Sequence, residues 1–266
     1  MDGQRESETL TWAVGGMDCA SCATKIRGAL ERLFAGYAWA AFGLLAPGAW
    51  LGIMTLPRQD WRWRLSRSAT WALARLTGTP LTVRGLEHLP AGSCVLVANH
   101  SSYLDAYALI AAIPRHFRYV AKRELLDNRW LAKPLQRMGT LFVERFDARR
   151  GAEEAGKIAE AVRAGQSLGF FPEGTFTRMP GLLAFRMGAF VAAAQAGVPV
   201  VPVVLRGTRS ILRAGSWFPR RGRLEVIVGP PIRPDGADWS AAVRLRDAAR
   251  AAILRQCGEP DLGDTP

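Results

Sequence analysis

Residues 94–105 read Cys94-Val95-Leu96-Val97-Ala98-Asn99-His100-Ser101-Ser102-Tyr103-Leu104-Asp105: a short apolar run, a polar turn, and the opening of a second apolar segment. An apolar run with no polar residue in alternation predicts a strand buried on both of its faces. The same alternation continues outward. Further strands are expected at Arg118 to Ala121, Leu141 to Val143, Leu168 to Phe171, Val200 to Leu205 and Leu224 to Val228. Helices are expected at Tyr103 to Ala112, Arg129 to Arg137, Gly151 to Ala164, Phe185 to Ala196 and Ala241 to Gln256. Strand–helix alternation of this kind predicts an α/β fold, a mixed, largely parallel sheet flanked by helices.

Upstream lies a segment of different character. No charge falls between Arg32 and Arg58, and Leu33 to Pro57 is rich in Ala, Leu, Gly, Trp and Phe. A helix rising about 1.5 Å per residue needs roughly 20 such residues to cross the hydrocarbon layer, so an N-terminal membrane-associated helical segment is expected. Pro47-Gly48 near its middle leaves open a kinked span or two half-helices dipping into one leaflet. Beyond it, Arg58, Arg62, Arg64, Arg67 and Arg75 interleave with Trp61, Trp63 and Trp71, the composition of an interfacial helix. Arginines beside an apolar segment favour the cytoplasmic leaflet. The expected location is therefore the inner membrane with the large downstream region in the cytosol. The organisation read from these shifts is 1–33, 34–78 (anchor and interfacial helix), 79–258 (the α/β domain) and a disordered tail at 259–266.

Composition narrows the class further. Hydrophobic residues are 49% and charged residues 22% of the 266, enough to bury a core and unlike a disordered chain. Thirty-five basic against 23 acidic residues leave a net charge of +12, nearly all arginine, which calls for an anionic partner. No nucleic-acid reading element accompanies that charge, and its densest basic-aromatic cluster follows the apolar segment, where a lipid surface explains it. Met1 to Glu8 carries acids and no basic run, so no cleaved signal peptide is expected, and the four cysteines are read as reduced thiols.

Four runs carry chemistry. His100 and Asp105 form a candidate general-base pair, since a carboxylate on one imidazole nitrogen sets the tautomer and stabilises the imidazolium formed at the other. The same histidine could instead cap the helix. Phe171-Pro172-Glu173-Gly174-Thr175, followed by Arg178 and Arg186, suits an anion, through backbone N–H groups of a glycine turn and nearby guanidinium groups. Gly139-Thr140-Leu141-Phe142-Val143-Glu144-Arg145 ends a strand on an arginine, and Val198-Pro199-Val200-Val201-Pro202-Val203 feeds a strand between prolines.

In order and spacing these four runs resemble the glycerolipid acyltransferases, the family of 1-acylglycerol-3-phosphate acyltransferase. The resemblance covers Leu81 to Asp235 and implies a catalytic His100 with Asp105 as its orienting partner. It also implies acceptor or donor binding by Asn99, Lys122, Arg145, Glu173, Gly174, Thr175, Arg178, Pro199 and Pro202. Acyl transfer from acyl-CoA or acyl-carrier protein to a lysophospholipid, at a membrane and without a cofactor, is the activity so implied. Two positions depart from the family pattern: Phe176 stands where an arginine usually follows Glu-Gly-Thr, and Arg186 replaces a common lysine, keeping the charge.

Two other signals compete. Gly16-Met17-Asp18-Cys19-Ala20-Ser21-Cys22 resembles the metal loop of heavy-metal-associated domains, and two thiolates ahead of a helix can hold Cu(I). The rest of such a domain has no room before the apolar segment, so a truncated fragment is expected, and a metal-binding membrane adaptor with an inactive acyltransferase fold is the rival reading. Gly165-Gln166-Ser167-Leu168-Gly169 matches the serine lipase and esterase pattern, but it runs from helix into strand, the reverse of a nucleophile elbow. His88 and His116 lack acidic partners at useful spacing and are read as surface or core residues.

Overall fold

The computed structural model describes residues 20–143 and 148–263. Its N-terminal part is a helical hairpin. Helix α1 (Ala20–Thr55) runs unbroken through Pro47, and α2 (Gln59–Leu76) folds back along it. Ala23–Thr55 is long and apolar enough to cross a membrane, with a mean hydropathy of 1.4. The boundary expected between 33 and 34 therefore falls inside one helix, and the basic turn around Arg27 and Arg32 is its first part. No half-helix break occurs at Pro47-Gly48.

Helix ends leave backbone carbonyls without partners, and here two arginines take them. Arg62 donates through Nε to Leu56 O (2.8 Å) and through Nη2 to Pro57 O (3.1 Å), while Arg137 donates to Met54 O (2.7 Å). Tryptophans seat the hairpin on the domain: Trp50 Nε1 donates to Trp130 O (3.0 Å), Trp39 Nε1 to Trp217 O (2.7 Å) and Trp71 Nε1 to Ala111 O (3.0 Å).

The domain is built on strands β1 (Leu81–Arg84), β2 (Val95–Ala98), β3 (Arg118–Lys122), β4 (Leu141–Val143), β5 (Leu168–Phe170), β6 (Leu182–Leu183), β7 (Val200–Arg206), β8 (Leu224–Val228) and β9 (Asp261–Leu262). Seven of them form one sheet in the order β1-β8-β7-β2-β5-β3-β4, parallel throughout except where β8 meets β7. Helices α3 (Asp105–Ala112), α4 (Arg129–Arg137), α5 (Ala148–Arg163), α6 (Gly188–Ala196), α7 (Thr208–Ile211) and α8 (Trp239–Cys257) connect and cover them. The expected mixed, largely parallel α/β sheet is the one present.

β2 occupies the centre and is buried on both faces, as its unalternating sequence requires. Val95 and Val97 join a core with Val162 of α5, Phe190 of α6 and Leu245 and Ile253 of α8. Leu96 and Ala98 face the opposite core, made with Leu109 of α3 and Trp63 of α2. Each fully buried aliphatic side chain of this kind contributes about 1.5–3 kcal/mol.

Four of these elements went unanticipated: the single-turn α7 and the strands β1, β6 and β9. β1 is an edge strand whose burial alternates, and the pair β6–β9 is only two residues long on each side, too short to leave a periodic pattern. The expected disordered tail at 259–266 is corrected over 259–263. Glu259 pairs with Arg209 (2.9 Å) and accepts from Gly181 N–H, and β9 ladders with β6. α3 begins at Asp105 rather than Tyr103 because Ser102 to Asp105 closes a turn, Asp105 N–H donating to Ser102 O (3.2 Å).

Gly207 turns β7 into α7 at a φ of 87°, and a Cβ there would lie 1.8 Å from Arg223 O. Gly207→Ala is expected to cost at least about 2 kcal/mol, read as a lowered midpoint in thermal denaturation; an unchanged midpoint would contradict this account of the turn.

Candidate active site

β2 ends at Ala98 and delivers Asn99 and His100 to the C-terminal edge of the sheet, where the loops after β3, β5 and β7 also converge. Parallel sheets present their binding crevices along this edge. Asn99 is buried and spends its amide on β7: Nδ2 donates to Leu205 O (2.9 Å) and Oδ1 accepts from Leu205 N–H (2.7 Å). It thus sets where β2 stops; it does not line the cavity described below.

Asp105, wholly buried at the start of α3, gathers the turn around one oxygen. Its Oδ2 accepts from Ser101 N–H (2.6 Å), from Ser102 N–H (2.8 Å) and from His100 Nδ1 (2.8 Å). A carboxylate at a helix N-terminus is favoured by the helix dipole. Because the ionised carboxylate only accepts, it assigns the proton to Nδ1 and leaves Nε2 with its lone pair. The two serine hydroxyls brace the same turn, Ser101 Oγ against Thr208 Oγ1 (3.0 Å) and Ser102 Oγ donating to Leu212 O (2.6 Å).

Glu173, after β5, holds the histidine from the other side. Its Oε1 accepts from His100 N–H (2.6 Å) and its Oε2 from Leu183 N–H (2.9 Å), with the residue only 4% exposed. Burial pushes its carboxyl up to about 7, against the pull of those two backbone donors. Gly174 N–H donates to Phe171 O (2.9 Å), so it closes the turn. The cradle of exposed backbone N–H groups expected at Glu-Gly-Thr is corrected accordingly: Glu173 is a buried brace, and Thr175 is the exposed polar residue of that run.

The imidazole itself is caught between rings. Phe171 stacks on it at 4.3 Å between centroids, Phe176 meets it edge-on at 4.3 Å, and Tyr103 packs against Phe176 at 4.9 Å. From this point a cavity of about 1130 Å³ extends beneath the hairpin. Its walls are mostly apolar, with Phe42, Trp50 and Ile53 of α1, Leu73 of α2 and Leu135 of α4 among them, while Lys122, Thr175 and Arg186 supply polar groups. A base with an accessible nitrogen, a long apolar cavity and two cations beside it suit proton removal from a hydroxyl on an amphiphile carrying a negative charge.

The structure brings His100, Lys122, Gly174 and Thr175 together at the cavity, with Asp105 and Glu173 behind the histidine. Arg178 is exposed and outside the cavity wall. Pro199 and Pro202 are buried and equally outside it: Pro202 pairs with Val97 in mid-sheet and Pro199 O accepts from Val95 N–H at the opposite end of β2. Arg145 and Cys19 lie outside the described residues, as does the side chain of Cys22. Ser167 sits buried at the start of β5, the far end of that strand from Glu173, bonded to Cys94 N–H (3.3 Å) and with no hydrogen bond to an imidazole among the described residues, which goes against the serine-hydrolase reading. His116 is half-buried against Gln59 and Trp63, and His88 bonds Val228 O, as expected of residues outside the site. Phe171, Tyr103 and the walls from α1, α2 and α4 were not anticipated; Phe171 adjoins the Glu-Gly-Thr run, but the helical walls carry no local motif.

Residues 80–206 match the acyltransferase family model. Over those residues the chain is similar to the acyltransferase family. It is 36% identical over 174 residues to a chloroplastic 1-acyl-sn-glycerol-3-phosphate acyltransferase of Brassica napus, covering 64% of this chain and 49% of that one. It is 27% identical to the 1-acyl-sn-glycerol-3-phosphate acyltransferase of Pseudomonas aeruginosa, covering 76% of each. The chain spans about half the length of the plant and algal relatives it matches. In three dimensions it is similar to the 1-acyl-sn-glycerophosphate acyltransferase PlsC of Thermotoga maritima, with a TM-score of 0.69 at 18% identity over 88% of this chain and 98% of that one. At that identity the likeness bears on the fold alone.

Glu173 supplies a pH test of this site. Between the ordinary value of 4.5 and the folded value of about 7, the folded chain keeps a proton that the unfolded chain has released. The group's contribution to stability therefore falls as pH rises through that window and is level above it. The thermal midpoint should carry this component between pH 5 and pH 7. Glu173→Gln, which keeps one acceptor and turns an NH₂ on a backbone donor, should lose the component and cost about 1–3 kcal/mol. A variant with the same pH slope would show that Glu173 is not its source.

Proposed function

We propose that this protein is a membrane-associated O-acyltransferase that moves a fatty acyl group from a thioester, acyl-CoA or acyl-carrier protein, to the hydroxyl of a lysophospholipid of the 1-acylglycerol 3-phosphate type, in phospholipid synthesis. The observation that carries this reading is the His100–Asp105 pair opening onto a large apolar cavity. The names of the relatives support the acceptor.

In this mechanism Nε2 of His100 accepts the proton of the acceptor hydroxyl as its oxygen attacks the thioester carbonyl. Asp105 stabilises the imidazolium that forms. Collapse of the tetrahedral intermediate breaks the carbon–sulfur bond, and the imidazolium returns its proton to the departing thiolate. The acyl chain lies in the apolar cavity, and Lys122 and Arg186, with Thr175, face the acceptor's phosphate. Arg145 joins them on the strength of the family pattern. Asn99 and Glu173 serve by positioning, and Pro199 and Pro202 by shaping the central strand.

The hairpin supports the membrane assignment. At about 1.5 Å per residue the 36 residues of α1 exceed the roughly 30 Å hydrocarbon layer, and α2 packs along it beside the cavity. Insertion of the hairpin into the near leaflet, with the domain resting on the surface, places the cavity at the depth of the acyl chains. The arginines of α2 support the reading that this surface is the cytosolic side of the inner membrane.

An acyl-transfer assay on membranes with a panel of lysolipids tests the proposal. His100→Ala should abolish transfer, and Asp105→Asn should lower kcat by about 10³–10⁴-fold with both variants folded. Turnover by His100→Ala at the wild-type rate would overturn the assignment. Phe176→Arg places a guanidinium beside the base and is expected to raise the preference for a phosphate over a zwitterionic headgroup by about 10-fold, measured as a ratio of kcat/KM values.

A further inference from the structure

At the N-terminal edge of β2, β5 and β3, the reverse edge from His100, lies a second cavity of about 560 Å³. Four chain segments wall it: the start of α2 and the loops that lead into those three strands. Its lining is polar and includes Arg115, Arg118, His116, Gln166, Ser93 and Asp60.

The arginines are unneutralised. Arg115 is held by main chain, its Nη1 donating to Pro90 O (2.6 Å) and Gly92 O (3.0 Å), and its Nη2 lies 3.0 Å from Cys94 Sγ. That grip fixes the plane of the guanidinium and leaves Nε buried without a partner. The Arg118 side chain makes no hydrogen bond or ion pair among the described residues, and its Nε is likewise buried and unpartnered. Gln166 Oε1 is a third such atom, so three of the six unpartnered buried side-chain atoms among the described residues belong to one cavity wall. Buried polar groups without partners destabilise a fold unless something at the site satisfies them. The one carboxylate in the wall, Asp60, acts on His116 and pairs with neither arginine.

We propose that this cavity binds a phosphate-bearing anion, with Arg115 and Arg118 donating to its oxygens and Gln166 accepting from a P–OH or an adjacent hydroxyl. Two guanidinium groups match the tetrahedral, multiply accepting geometry of phosphate, and the acceptor favours a monohydrogen phosphate or a phosphomonoester. The volume exceeds what a bare phosphate fills, leaving room for a small polar body. Strand β2 alone, at about 3.3 Å per residue, puts some 13 Å between this site and His100, so the proposal stands apart from the acyl-transfer reading.

Hydrogen–deuterium exchange on the full chain in detergent tests it, with inorganic phosphate in one arm and phosphatidylcholine vesicles doped with phosphatidate in the other. Protection of 91–93 and 115–118 is expected, with affinity weakened about 10-fold or more in Arg118→Gln and in Ser93→Glu, and unchanged in Arg186→Gln. Protection by dissolved phosphate supports a soluble ligand; protection by the doped vesicles alone supports a lipid headgroup. Absence of protection in both arms would overturn the proposal. So would protection that survives in both cavity variants, or that moves to 174–176 and vanishes in Arg186→Gln.

Discussion

One carboxylate oxygen organises the catalytic edge of this protein. Asp105 Oδ2 takes two consecutive backbone N–H groups and the imidazole of His100, so a single acceptor defines the turn, the helix start and the tautomer together. Held by three donors at a helix N-terminus, this carboxylate gives the histidine a fixed orientation. The remaining braces then act on a turn already formed: Asn99 ties it to β7, Thr208 and Leu212 tie it to the turn beyond, and Glu173 clamps its backbone from β5.

How much of this could be read from residues alone follows from the range of each interaction. The strands at 224–228 and 141–143 and the helix at 129–137 emerge where expected, because local periodicity and bounding residues define them. β1 and the β6–β9 ladder are products of tertiary pairing and leave no periodic trace. The same division runs through the site. His100 and Asp105 are five residues apart and meet within one turn, so a local pattern identifies them. Glu173 meets His100 across 73 residues, and a run that looks like an anion cradle proves to spend its carboxylate on two backbone amides. Proline at 199 and 202 shows the converse, motif letters that shape the sheet and never reach the cavity.

The large cavity ties the apolar hairpin to the candidate site. Its walls come in part from the hairpin, so the helix that is long and apolar enough to cross a membrane also completes the chamber beside the imidazole. The tryptophan indole bonds to Trp130 and Trp217 carbonyls hold that roof in place. A base assembled without the hairpin would keep its tautomer but lose its chamber.

The small ladder between β6 and β9 bears on the order of events during synthesis. Glu259 ties Gly181 and Arg209 together, and Arg209 in turn holds the carbonyls of Thr177 and Met179, so the loop carrying Phe176 is secured by a residue 78 positions beyond Gly181. The hairpin leaves the ribosome long before them and can settle into lipid while the sheet is still incomplete. On the proposed reading, anchoring thus precedes competence: the hairpin can reach the bilayer before the loop beside His100 is latched.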